Sequence, residues 1–70
     1  MNEEDVLLWV ARDLDGKLFL YSKKPYKGFY SFVPKEGDPL VTQLNSKLLS
    51  EITWEDSPVK VQLTPIIESV

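Results

Sequence analysis

Apolar and polar positions alternate along this chain over short runs separated by turn residues. Val6-Leu7-Leu8-Trp9-Val10-Ala11-Arg12 is rich in β-branched and aromatic side chains, too short for a convincing helix, and predicts a strand. Asp13-Leu14-Asp15-Gly16 follows as a turn, with Gly16 supplying the positive φ that a hairpin or its bulge requires. Lys17-Leu18-Phe19-Leu20-Tyr21-Ser22 is the returning strand. Lys23 to Gly28 reads as a loop because Pro25 cannot donate to a ladder. Phe29-Tyr30-Ser31-Phe32-Val33 reads as a third strand, and Pro34 to Pro39 as a second loop. Val59, Val61 and Leu63 alternate with Lys60, Gln62 and Thr64 in a half-buried strand that Pro65 should end.

The segment 40–54 supports two readings. Leu40, Leu44 and Leu48 recur every four residues, as on one helix face, yet Leu40 to Leu44 also suits a short strand. A strand near 40–44 followed by one helical turn, capped by Asn45 or Ser46, is the reading favoured here. Trp54 to Pro58 reads as a turn anchored by Trp54.

These elements predict a mainly β domain. Four to five strands form a small antiparallel sheet, curled into a roll or partial barrel, with at most one short helical turn. Both faces of the first strand are apolar, Val6, Leu8 and Val10 on one and Leu7, Trp9 and Ala11 on the other, so both need cover. Either the sheet curls or a second copy covers the open face. A bulge at Gly16 would shift the hairpin register by one and swap the faces, so the alternation alone does not assign the core side.

Length makes this a single domain over 1–70, with 1–5 polar and expected to fray. A chain of 70 residues has little core to spend, and without cysteine it cannot use disulfides or thiolate metal sites. Self-association is the remaining way to add stability. The acidic start lacks a basic and apolar signal pattern, and no apolar run reaches membrane-spanning length, so a cytoplasmic protein away from membranes is expected.

Candidate chemistry is sparse. No histidine is present, and no phosphate-cradling glycine loop or metal-ligand spacing occurs. Asp13-Leu14-Asp15-Gly16 is not continued by the oxygen ligands of a calcium loop, and Glu55-Asp56 are adjacent rather than facing across a cleft. A non-enzymatic protein with no cofactor and no metal is the expectation. Charge adds one feature. Net charge is −3, but residues 16–35 hold five lysines and no acid, while the segments on either side each sum to −4. Within the basic stretch Lys23, Lys24, Tyr26, Lys27 and Tyr30 form a candidate binding surface. Lysines attract phosphates, and Tyr26, Phe29 or Tyr30 can stack on unpaired bases, the combination used by single-stranded nucleic-acid binders. The simpler account is a loop with solvated lysines beside core aromatics. The leading expectation is therefore a protein-binding or adaptor module, homodimeric if the sheet needs cover, with single-stranded nucleic-acid binding as the alternative.

Leu8 to Tyr21, then Lys24-Pro25, Ile52 to Val59 and Val61 to Leu63 carry a pattern that reads Ala-Arg-Asp-x-Asp-Gly-x-Leu near the start and Trp-Glu-Asp-x-Pro near the end. In this the chain resembles small uncharacterised proteins of gut Bacteroidetes, their phages and their mobile elements. The match spans most of the chain and is poor over 26–50. Such proteins often have Phe-Pro before the second block, where Leu49-Ser50 stands here. The resemblance implies a bacterial or phage origin and a structural role for both motifs, and no activity.

Overall fold

The computed structural model describes residues 6–63. The expected fraying of 1–5 and the stop at Pro65 lie outside them. Among the described residues there are six strands: β1 (Val6–Arg12), β2 (Leu18–Tyr21), β3 (Tyr26–Lys27), β4 (Phe32–Val33), β5 (Val41–Leu44) and β6 (Val59–Leu63). A four-stranded antiparallel sheet runs in the order β5-β2-β1-β6, and β3 and β4 form a separate two-stranded ribbon. The described residues contain no helix, and the sheet is open rather than closed into a barrel.

The first hairpin closes as its sequence dictates. Asp13 N–H donates to Lys17 O at 2.8 Å, and Gly16 N–H donates to Asp13 O at 2.9 Å. Gly16 sits at φ +95°, the conformation that ends a three-residue loop with a bulge. The register then pairs Arg12 with Leu18, Val10 with Leu20 and Trp9 with Tyr21. This assigns the faces that alternation left open. On one side Val10, Leu18 and Ile52 are buried, with Leu20, Leu44, Val59 and Val61 around them. On the other, Ala11, Tyr21 and Phe32 are buried, flanked by Trp9, Phe19 and Trp54.

Both faces of β1 carry buried residues, Leu8 and Val10 on one and Ala11 on the other, and the same chain covers them, while Leu7 stays half exposed. The sheet does not close into a barrel. Turns of 45–52 carry Ile52 onto one face, while the β3–β4 ribbon and the turn at Trp54 carry Phe32 and Trp54 onto the other. Phe32 and Trp54 meet edge to face, with ring centroids 5.2 Å apart.

Two expected elements differ. The strand expected over Phe29–Val33 is only Phe32–Val33, and its partner is Tyr26–Lys27, inside the expected loop. Residues 28–31 turn between them, closed by Gly28 N–H to Ser31 O at 2.9 Å. The helical turn expected after 44 is a run of turns. Asn45 does cap locally, its Oδ1 accepting from Lys47 N–H at 2.9 Å. The chain then reaches Leu49 at φ +49°, which stops helix propagation. The strand within 40–44 forms as Val41–Leu44.

Arg12 explains why those turns hold their shape. Its Nε donates to Ile52 O at 2.6 Å, Nη1 to Gly16 O at 2.8 Å and Ser46 O at 2.9 Å, and Nη2 to Leu48 O at 2.8 Å and Leu49 O at 3.1 Å. Five carbonyls with no strand partner thus converge on one guanidinium. The backbone N–H of Arg12 also donates to Ser57 Oγ at 2.9 Å, and Ser57 Oγ donates to Thr53 O at 2.6 Å. Residues of the Ala-Arg-Asp block and of the Trp-Glu-Asp-Ser-Pro block are in direct contact through these bonds.

Candidate functional site

The ribbon and its tip are placed by Asp13. This buried carboxylate accepts from Phe32 N–H at 2.8 Å through Oδ1, and the adjacent Leu14 N–H donates to Tyr30 O at 3.0 Å. The first hairpin turn thus grips the ribbon's loop at Tyr30 and Phe32, on its C-terminal side. Burial raises the Asp13 carboxyl above its ordinary range. The Phe32 N–H opposes that shift, while the nearby charge of Asp15 adds to it and that of Lys17 counters it. Tyr21, buried beneath, has its phenol pushed up to about 12, mainly by burial and further by the charges of Asp13 and Asp38.

A second carboxylate fixes the other end of the basic stretch. Asp38 accepts from the Ser22 hydroxyl, from Ser22 N–H at 3.3 Å, from Lys23 N–H at 3.1 Å and from Leu40 N–H at 2.9 Å. Desolvation works against its ionisation. The Ser22 hydroxyl and the N–H groups of Leu40, Lys23 and Ser22 outweigh it and hold the carboxyl below its ordinary range.

The five candidate residues do not form one patch of equivalent groups. Lys24 Nζ lies 5.4 Å from the Trp9 ring centre, with Lys60 Nζ 5.3 Å from the same ring. Lys27 Nζ sits 4.4 Å from the Trp54 ring centre and 5.8 Å from that of Phe32, and donates to Trp54 O at 3.1 Å. Tyr26 on β3 is exposed, but Lys35 Nζ stands 5.7 Å from its ring centre. Lys23 is exposed and lies beside Gly37. Tyr30 stands apart from all of these at the ribbon tip, 75 % exposed. Most lysines of the stretch thus cap the chain's own aromatic rings, each contact worth about 0.5–1 kcal/mol at exposed sites.

Phe29 is a stacking candidate in the sequence but not part of the five-residue candidate surface. It was assigned to a strand, yet at 92 % exposure it is the most exposed large apolar side chain described. Phe29 and Tyr30 are the two central residues of the Gly28–Ser31 turn. Leu14, Tyr26 and Val33, all exposed, extend the apolar surface along the ribbon. The available signal was Gly28: a turn glycine followed by two aromatics fits a hairpin tip as well as a strand start.

Gly28 itself limits the turn. A Cβ there would lie 2.7 Å from Ser31 O, a backbone atom that cannot swing aside. Gly28→Ala is expected to lower stability by about 1–2 kcal/mol and to shift amide resonances at 28–31. Thermal melts and a two-dimensional NMR spectrum check this, and an unperturbed tip would refute it.

Among the described residues no group of three or more metal-ligating side chains converges, no pocket opens, and no helix is long and apolar enough to cross a membrane. Comparison of the chain with protein-family models, curated proteins and solved structures gave no match.

Proposed function

We propose that this chain is a non-enzymatic protein-binding module that presents the Phe29–Tyr30 tip to an apolar cleft with an acidic rim on a partner protein. The observation that carries the reading is the exposure of two adjacent aromatic side chains on a turn whose backbone is tied down. A solvent-facing Phe beside a Tyr is costly to solubility and has no packing role in the isolated fold. Asp13 and Leu14 hold the tip, so little ordering entropy is lost on binding. Aromatic residues on rigid supports dominate binding energy at protein interfaces. The five lysines of 16–35 favour an acidic rim.

Single-stranded nucleic acid is the alternative occupant of the same segment. Lys24, Lys27 and Lys35 stand over the chain's own rings, which leaves Phe29 and Tyr30 as the open stacking faces. Two stacking rings on a chain of net charge −3 make a poor backbone-tracking groove, so the protein partner is preferred.

The test uses tagged chain to capture partners from host extract, with and without nuclease, beside the Phe29→Ser/Tyr30→Ser double variant. The exposed positions should leave stability within about 0.5 kcal/mol of the parent. Capture of a protein that survives nuclease and falls at least about tenfold in the variant is expected. Capture abolished by nuclease transfers the site to nucleic acid, and capture equal in both chains removes the tip from binding.

A further inference from the structure

The outer edge of β5 is a second surface, separate from the tip, and its sequence differs from that of the opposite sheet edge. β6 carries Lys60, a charge that discourages pairing with another strand. β5 has no such protection. No charged residue occurs over 39–46, no proline lies within the strand, and it pairs one-to-one with β2 without a bulge. Val41, Thr42 and Gln43 are exposed, and among the described residues β5 has β2 as its neighbour on one side only.

The pattern along this edge fits its own copy. Two identical antiparallel strands joined edge to edge are related by a two-fold axis normal to the sheet. That rotation preserves faces, and directly opposed residues must share a face, so the axis has to pass through one residue paired with itself. Thr42 lies opposite Leu20 and Leu44 opposite Leu18, which puts both on the Val10–Leu18–Ile52 face. One further step of alternation assigns the half-buried Leu40 to that face. With Thr42 on the axis, Thr42 meets its own copy and Leu40 meets Leu44 of the partner on both sides. With Gln43 on the axis, Leu44 would face Thr42 and Val41 would face Asn45. Of the registers centred within Val41–Leu44, only the one on Thr42 makes two leucine–leucine contacts and extends the core cluster at Leu44 across the junction; a centre on Leu44 makes one and draws in residues 45–47, which lie beyond the strand.

We propose that two copies of this chain associate through β5 in that register, joining two four-stranded sheets into one of eight strands. The contact is short, below the size of stable interfaces, so the dimer is weak and concentration-dependent. It does not rest on the binding role of the tip, and it places the two tips on one bivalent particle.

Sedimentation velocity from about 10 μM to about 1 mM tests it, a range that spans weak association constants. The parent chain should move from monomer to dimer. Thr42→Lys and Thr42→Glu should each remain monomeric, because like charges then face each other at the axis, and an equimolar mixture should recover the dimer. The Phe29→Ser/Tyr30→Ser variant should dimerise as the parent does. A parent that stays monomeric, single variants that still dimerise, a mixture that stays monomeric, or loss of the dimer in the tip variant each overturns the proposal. Amide exchange on the parent gives a readout independent of any variant's folding. Amides of 41–44 should slow with rising concentration while those of β6 do not, and the reverse pattern overturns the assignment to β5.

Discussion

Arg12→Lys should lose about 2 kcal/mol of stability, and Arg12→Ala about 3–5 kcal/mol, enough to unfold a small domain at room temperature. The loss does not come from an ion pair, since the guanidinium donates to the carbonyls of Gly16, Ser46, Leu48, Leu49 and Ile52. These are turn carbonyls, and a planar fork of five N–H groups is the one side chain that can reach all of them at once. Lysine keeps the charge but offers three donors from a single point, so most of the five bonds are lost. Several of these bonds are solvent-accessible, which is why the expected cost is below the sum of five buried charge-assisted bonds. Urea unfolding followed by tryptophan fluorescence measures it, because Trp54 sits in the turn that Arg12 supports and Trp9 on the strand that bears it. An Arg12→Lys variant within about 0.5 kcal/mol of the parent would show that the web is incidental.

Asp13 gives the second large effect, with a sign that depends on the replacement. Asp13→Ala leaves the buried Phe32 N–H without its acceptor and should cost about 2–3 kcal/mol. Asp13→Asn keeps an acceptor oxygen in place and removes a desolvated charge, so at neutral pH it should match or exceed the parent. The pH dependence follows from the raised carboxyl. A folded-state value above the unfolded one means that the native state holds the proton more tightly. This contribution favours the fold at low pH and is lost as pH rises through the folded-state value. The advantage of Asn over Asp should therefore grow as pH rises from the unfolded carboxyl's value through the higher folded-state value, and then level off. Asp38 works in the opposite sense: its lowered carboxyl gives stability present above the unfolded value and lost as pH falls through the folded one. Comparing the Asn variant with the parent isolates Asp13 from that opposing trend. A variant as unstable as Asp13→Ala at pH 7 would contradict this account.

Local chemistry made much of the fold legible. The hairpin of β1 and β2 was readable because Asp13 to Gly16 is strong turn chemistry between two apolar runs. β6 was readable because Val59 and Val61 alternate with polar residues. The apolar character of both sides of β1 correctly implied cover on both, but its source was not legible. The segments that provide it, 26–33 and 45–54, have weak local preferences and take their shape from bonds spanning the chain. Arg12 reaches carbonyls 34 to 40 residues away, and Asp13 reaches an N–H 19 residues away. Neither bond leaves a periodic trace. The ribbon was misplaced for a related reason: Phe29 and Tyr30 have high strand propensity, while the closure through Gly28 and Ser31 sets them at a turn. In the candidate surface, the run of lysines was visible, but their use over Trp9, Phe32, Trp54 and Tyr26 depends on folding.

The strand order β5-β2-β1-β6 also has a consequence during synthesis. As the nascent chain leaves the ribosome, β1, β2 and β5 can zip together once residue 44 has emerged, but β1 keeps one flank bare until 59–63 follow. Through that interval an apolar flank is open to any passing strand, so the vulnerable stage in the folding of this chain lies between the pairing of β5 and the arrival of β6.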